Sequence, residues 1–340
     1  MLIFHALAKM GREALILVSP SQRIVSVGYF QDTDKVVDLE YCCKNGISVM
    51  RREIGGGTTL LDRNQIFFQL IVRRDNPEFP RRISSLYELI AGPCVDTYRA
   101  LGVDASFRPV NDIVTKEGRK VSGLGGADIG ECVVFVGNII LDFDSREMAN
   151  ILRVPSEKFR DKVHKSLEDN VSSVFKETGT NPPRSEVEDL LIGNFAMRLG
   201  QLEEVCLDDE VYAKACELEK EMMSDDFLFR RRDKAAGDED YMKVKIATGT
   251  QVSERSYKAP GGLITVTHVI QGNTIENISI SGDFTFYPKN RLRDIEDALV
   301  GVRRDISDIE QVISSVYHDL SIESPGVAPL DFAQAICKSD

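Results

Sequence analysis

The chain has 340 residues, 28% of them charged, with a formal net charge of −12. That length calls for about two domains rather than one core, and the acidic balance argues against a generic nucleic-acid-binding role, which needs a basic footprint. No apolar run approaches the roughly 20 residues that span a bilayer, and the N-terminus lacks a basic region leading into an apolar stretch and a cleavage site; a cytoplasmic protein with no membrane and no nucleic-acid partner is expected.

Residues 2–15 read as a helix, with Phe4, Leu7, Ala8, Met10 and Leu15 as its apolar positions. Strands follow at 16–18 and 24–28 around the turn Ser19-Pro20-Ser21, then a helix over 36–45 ended by Gly46. A strand at 47–50 enters the run Arg51-Arg52-Glu53-Ile54-Gly55-Gly56-Gly57-Thr58-Thr59-Leu60-Leu61-Asp62, and a second β-type run covers 66–72. Glycine accepts φ > 0 and lacks a Cβ, so such a loop can press its backbone against a ligand. Two neighbouring guanidinium groups suit it to a phosphate or carboxylate. The alternative is a Gly-rich hairpin turn, in which Asp62 caps the turn and Arg51 makes a surface ion pair.

Residues 82–101 have the stripe Ile83, Leu86, Ile90 and Cys94 of a helix, with Gly102 as its cap. Asn111-Asp112-Ile113-Val114, a turn at Lys116-Glu117-Gly118 and Arg119-Lys120-Val121-Ser122-Gly123 form a second glycine-bearing segment, and two strand-like runs bracket Gly137. Residues 145–224 are mostly helical: Phe159, Val163 and Leu167 recur every four residues, and Pro182-Pro183 opens another helix. Arg230-Arg231-Arg232 reads as a solvated face or linker, and 233–240 as a linker. Beyond it, Met242, Val244 and Ile246 alternate with lysines, and Ile264-Val266 and Ile278-Ile280 repeat the period of two. Pro288 then opens a helix to about Val300, and two short helices follow. The boundary is placed near 238, giving a first unit at 1–237 and a small α+β module at 238–340.

Several chemistries are poorly supported. The seven cysteines are scattered without a C-x-x-C pair and read as small buried hydrophobes. None of His5, His164, His268 and His318 lies in a glycine-rich segment, which disfavours a histidine triad or metal centre. There is no G-x-S-x-G elbow, and no glycine is followed by lysine, as a P-loop requires.

Taken together, three segments resemble the lipoate–protein ligase A family of the biotin/lipoate protein ligases. The residues that carry the resemblance are Arg51, Arg52, Gly55, Gly56, Gly57 and Asp62; Asn111, Asp112, Ile113 and Val114; and Gly118, Lys120, Val121, Ser122 and Gly123, with Gly137 in the last strand. Gly261-Gly262-Leu263-Ile264 and Ser281-Gly282-Asp283-Phe284 resemble, more loosely, the family's C-terminal accessory module. The resemblance implies an α+β fold, a biotin/lipoate ligase-like mixed sheet with flanking helices, plus the small C-terminal domain. It also implies an enzyme that uses ATP and magnesium to activate lipoate or octanoate and passes the acyl group to a lysine of a carrier. The family's usual acceptors are the glycine-cleavage H protein and the lipoyl domain of 2-oxoacid dehydrogenase acyltransferases; a dedicated lipoate-binding protein is a further option. Departures occur where relatives carry polar residues: Ile54 replaces Ser or Thr, Leu61 and Val136 replace His, and Ser122-Gly123 continues as Leu124-Gly125-Gly126.

Adenylation brings a carboxylate up to an α-phosphate, and a fixed cation between two anions stabilises the transition state. Lys120, flanked by Gly118 and Gly123, fits that role. Arg52, and with it Arg51, is assigned to the phosphates, Gly55–Gly57 and Thr58 to the acyl-adenylate, and Asn111 and Asp112 to the ribose, a magnesium ion or the incoming amine. Asp62, Ser122, Gly123 and Gly137 complete the set of binding residues. Ile47, Val49, Ile139 and Leu141 are candidates for an apolar acyl slot. Cys132 or Cys94 would serve an ATP-independent transferase working through a thioester. A non-catalytic carrier-binding protein is a third reading, permitted by Leu61 and Val136. Biotin ligation is a fourth, disfavoured by the absence of a G-R-G-R-x-G-R loop.

Overall fold

The computed structural model describes residues 2–232 and 250–337. The expected linker at 233–240, the alternation at Met242, Val244 and Ile246, and the boundary near 238 lie outside them. Helix α1 (Leu2–Lys9) is shorter than the expected 2–15: Gly11, at φ 68°, turns the chain out, and Leu15 passes into strand β1 (Ala14–Val18). Strand β2 (Ile24–Val27) follows. The single helix expected over 36–45 is two, α2 (Thr33–Val36) and α3 (Leu39–Lys44). Val37 is extended, and the Asp38 carboxylate accepts the Tyr41 N–H to cap the second helix. Next come β3 (Ser48–Arg51), β4 (Thr59–Leu61), β5 (Gln65–Arg73), α4 (Ile83–Ala100), β6 (Ala105–Arg108), β7 (Asp112–Thr115), β8 (Lys120–Gly123), β9 (Gly125–Ile129) and β10 (Cys132–Ile140). Strand β10 passes straight through Gly137, where two separate runs were expected.

The central antiparallel sheet has the order β1-β5-β10-β9. Its strands alternate between two cores, as a period of two requires. Ile66, Phe68, Leu70, Val72, Val133, Phe135 and Ile139 pack with α4, whereas Ile71, Cys132 and Val134 pack under α1. Two small sheets, β3-β2-β4 and β6-β7-β8, flank the central one. The helical stretch supplies α5 (Ser145–Ile151), α6 (Glu157–Asn170), α7 (Val174–Thr178), α8 (Arg184–Leu199), α9 (Asp209–Met222) and α10 (Asp225–Leu228). Among these, α8 adds Val187, Leu191 and Phe195 to the α4 core, and α9 adds Val211, Ala215 and Leu218 to the α1 core.

The C-terminal module is a three-stranded antiparallel sheet, β11 (Thr250–Ala259), β12 (Gly262–Gln271) and β13 (Thr274–Gly282), with α11 (Leu292–Leu299), α12 (Ile306–Asp319) and α13 (Pro329–Cys337). Its core is not self-contained. Tyr29, Phe30, Met222 and Phe227 of the first unit are part of it, and Phe30 stacks on Phe284 with ring centroids 5.1 Å apart. Of the arginine triplet, expected in solvent, Arg230 and Arg232 are exposed and contact residues of the first unit, while Arg231 reaches across to the C-terminal module. Arg231 pairs with the largely buried Glu296 at 3.0 Å, and the Arg230 guanidinium lies 4.2 Å from the Tyr29 ring centroid. Glu323 accepts the Ile83 N–H at the α4 N-terminus, where the helix dipole favours a carboxylate.

One titration is built into the module. His268 is buried, its Nε2 3.0 Å from the Ser253 hydroxyl, and burial, then Arg304 and Arg255, push its pKa down to about 4. The unfolded chain therefore takes up this proton near pH 6.5 while the folded module does not. Stability contributed by the neutral ring is full above pH 6.5 and is lost as pH falls towards 4, by about 2–3 kcal/mol. Denaturant unfolding of the wild type and of His268→Gln between pH 7 and pH 4 should diverge by that amount; parallel curves would refute it.

Candidate functional site

The glycine loop between β3 and β4 is held by its own arginines. Arg51 is fully buried, and its guanidinium donates to the carbonyls of Gly28, Tyr29, Gln31, Phe227 and Leu228 and to the Thr33 hydroxyl, at 2.7–3.1 Å. Every face of the fork is occupied, so in this structure Arg51 is a scaffold residue with no donor turned to a ligand. Arg52 bonds the Ser26 carbonyl and, through its other terminal nitrogen, the carbonyls of Gly55 and Gly57 at 2.8 Å. It buckles the loop into shape. Gly56 sits at φ 88°, which an L side chain rarely adopts, and its N–H donates to the Phe284 carbonyl at 3.1 Å. A Cβ on Gly55 would lie 2.6 Å from that same oxygen.

The loop is thus in direct contact with the C-terminal module. Glu53 strengthens this contact. It lies 2.8 Å from Lys289 of the module and 3.7 Å from buried His5 of α1. Burial alone would raise its pKa, but Lys289 and His5 outweigh burial and lower it. Thr58 donates to the Gln31 side-chain oxygen at 3.0 Å.

The second motif forms the β7–β8 hairpin. Lys120 is half-exposed and its Nζ lies 2.6 Å from Asp112 Oδ1, while Arg108 holds Asp112 Oδ2 at 2.9 Å. Burial pushes the Asp112 carboxyl up, and the two cations more than offset it, leaving the pKa lowered. Both oxygens are therefore engaged, and no group of three His, Cys, Asp or Glu residues among the described residues could hold a metal. Asp112 does not fit the role of a resident magnesium ligand; a magnesium ion would come with the nucleotide phosphates. Asn111 clasps the hairpin to the next strand: its Nδ2 donates to the Leu124 carbonyl, and its own carbonyl accepts the Leu124 N–H, both at 2.7 Å.

A buried polar chain links the two motifs. The Ser122 hydroxyl meets Asn138 Oδ1 at 3.0 Å, Asn138 Nδ2 donates to Gln65 Oε1 at 2.9 Å, and Gln65 Nε2 reaches Asp62 Oδ1 at 3.3 Å. Asp62 also accepts the Asn64 N–H, as a turn cap, and burial raises its pKa. Gln65 and Asn138 were not singled out from the sequence, although a polar residue inside an apolar strand run was the available signal. On the same sheet face, Gln69, Val136 and Gly125 form one cross-strand row. Ile54 lies over Gly125, 3.0 Å from where its Cβ would be, and Val136 is 3.6 Å from that point. Two of the positions where relatives are polar thus pack against the same glycine.

Other expectations change. A Cβ on Gly137 would fall 2.6 Å from Leu124 and from Phe68, so this glycine serves core packing. Ile47 and Val49 belong to the cluster around β2, while Ile139 and Leu141 belong to the α4 core. They line no common slot; Ile54 and Val136 are the apolar residues beside the loop. Cys94 and Cys132 are fully buried and their thiols are pushed up by burial. Cys132 sits at the far end of β10, about 20 Å of strand from Asn138. Among the described residues, no helix is long and apolar enough to cross a membrane.

Comparison with known proteins bears on the whole arrangement. The sequence model of the lipoyl protein ligase A/B catalytic domain matches residues 2–196, more than half of the chain, and that of the bacterial lipoate protein ligase C-terminus matches residues 252–336. Lipoate–protein ligase 1 of Staphylococcus aureus strain Mu50 is 26% identical over 310 residues, covering 91% of this chain and 87% of the relative. The octanoyltransferase LipM of Kyrpidia tusciae is 28% identical over 229 residues, covering 61% and 83%. Among solved structures, the bipartite lipoate protein ligase of Thermoplasma acidophilum, studied with its E2 lipoyl domain, superposes with a TM-score of 0.61 at 27% identity, over 67% of this chain and 90% of that one. The fold, the order of the motifs and the C-terminal module agree: this chain is an enzyme of the lipoyl protein ligase A/B family, which includes lipoate–protein ligases and octanoyltransferases.

Proposed function

We propose that the protein is an ATP-dependent lipoate–protein ligase. The observation that carries this reading is the seating of the C-terminal module on the glycine loop, through the Phe284 carbonyl on Gly56 and Lys289 on Glu53. A thioester mechanism makes no use of that contact. In the first half-reaction, a lipoate carboxylate oxygen attacks the α-phosphorus of ATP and pyrophosphate leaves. In the second, the amine of a carrier lysine attacks the acyl carbon, AMP leaves, and the amine proton passes to solvent. Lys120 sits between carboxylate and α-phosphate, exchanging part of its pairing with Asp112 for the developing charge. Arg52 presents the loop, Gly55, Gly57 and Thr58 border the acyl-adenylate, and Ser122 and Gly123 form the floor beneath Lys120. The carrier is a lipoyl domain or H protein, and the domain boundary falls near 238, ahead of the module.

A second reading has a specific observation behind it. The LipM relative matches 61% of this chain, and a transferase would need a cysteine and no ATP. The two cysteines expected for the thioester, Cys94 and Cys132, have buried, raised thiols, which argues against them as nucleophiles, while Cys43, Cys206 and Cys216 are exposed. Incubation with lipoate and Mg-ATP should give lipoyl-AMP, pyrophosphate and a lipoylated carrier by intact mass. Acyl transfer from an octanoylated carrier without ATP, through an acyl-enzyme adduct, would overturn the ligase in favour of the transferase.

A further inference from the structure

Helix α6 is unusual in this fold because none of its residues is fully buried. Its inner side is only half-covered: Arg160, Val163 and Leu167 face α5, with Arg160 donating to the carbonyls of Ala149, Asn150 and Leu152. At 100° per residue, the opposite side carries the exposed Asp169 at its C-terminal end and three lysines, Lys158, Lys162 and Lys165, all three exposed. None of them pairs with a carboxylate among the described residues, while the helix's flanking Asp161 is engaged by Arg146 at 3.1 Å. Phe159, beside this row, is 47% exposed. A chain of net charge −12 thus leaves one unpartnered lysine row next to an uncovered aromatic ring.

The position of the row gives it meaning. Val171, the residue after α6, forms a parallel bridge with Lys120, and the Ser172 N–H donates to the Lys120 carbonyl at 2.8 Å. The helix is therefore anchored to the strand that carries the candidate catalytic lysine. Its lysine row begins about 9 Å along the axis from that anchor and extends about 10 Å further. We propose that the outer face of α6 is the docking surface for the acyl-accepting carrier, and that the carrier meets it with an acidic surface. Against a net charge of −12, the exposed lysines give this face a local positive field that favours an acidic partner. Phe159 adds an apolar contact at the rim of the lysines. This inference rests on the ligase reading, from which it takes only the identity of the acceptor class.

The test uses the full chain and a recombinant E2 lipoyl domain of acidic surface as probe. The triple variant Lys158→Glu, Lys162→Glu, Lys165→Glu should raise KM for the lipoyl domain about 10–100-fold and flatten the dependence of the transfer rate on salt. The triple Gln variant should fall between it and the wild type. Lipoyl-AMP formation without carrier should be unchanged in both, since the side chains are solvent-exposed and, among the described residues, bond neither the loop nor Lys120. Transfer kinetics identical to wild type would overturn the docking face and leave the ligase reading standing. A wild type that makes lipoyl-AMP but does not modify the acidic domain would overturn the acidic-partner assignment. A wild type that makes no acyl-AMP at all would overturn the ligase reading itself.

Discussion

Replacing Lys120 by alanine is expected to lower acyl-adenylate formation about 10²–10³-fold, the loss that follows removal of one transition-state donor. The ammonium stands half-exposed over a residue without a side chain: a Cβ on Gly123 would lie 2.9 Å from Nζ and 3.0 Å from Cε. A side chain at 123 would displace the ammonium, so the glycine fixes where the charge sits. Lys120→Arg keeps the charge and should still lose about 10-fold or more, because a planar fork cannot replace a point charge at that spot. Stability should move by at most about 1 kcal/mol, since the pair with Asp112 is partly in water. Lipoate-dependent pyrophosphate exchange and thermal unfolding, measured on the same preparations, separate the two effects. Exchange that survives in Lys120→Ala would remove Lys120 from the reaction.

The second large effect falls on stability. Arg51→Met should cost about 3–5 kcal/mol, because it leaves buried acceptors from both ends of the first unit without a donor. The carbonyls of Gly28, Tyr29 and Gln31 follow β2, and those of Phe227 and Leu228 come from α10, so the guanidinium ties the loop scaffold to the chain leading towards the C-terminal module. Arg51→Lys should recover little, as one ammonium cannot span that set of oxygens. Whatever fraction folds should bind Mg-ATP with an unchanged KM. Denaturant unfolding read beside ATP kinetics decides the matter: normal stability with a raised KM would return Arg51 to the phosphates.

The adjacent arginines also show where the sequence stops being readable. The motif identifies both, but neighbouring residues on a strand point to opposite sides, and which side is buried depends on Phe227 and Leu228, some 176 residues away. The same parity separates Asn138, on the face of the polar chain, from Ile139, in the α4 core. An expected slot that included Ile139 and Leu141 failed on that alternation. Helix α4 and the hairpin carrying Lys120 were legible because their signals are local: a 3.6-residue stripe closed by Gly102, and a turn at Gly118. Helix α1 was overdrawn because the pairing of β1 with β5 claims Leu15, a contact that no local pattern announces. Arg230 and Arg232 are exposed as solvent-facing charge should be, but Arg231 could not be told from them because Glu296 comes to it from a distant part of the chain.

An amide has a single hydrogen to give, and the Gly56 N–H gives it to Phe284. A ligand oxygen that takes this hydrogen must evict a carbonyl of the C-terminal module, exchanging one bond for another at a net of about 1 kcal/mol. Filling the loop at Gly56 and loosening this one contact with the module are therefore two readings of one equilibrium. Contacts that clamp the module, Lys289 on Glu53 and Arg231 on Glu296, weaken such a ligand by the same factor by which the ligand loosens the clamp.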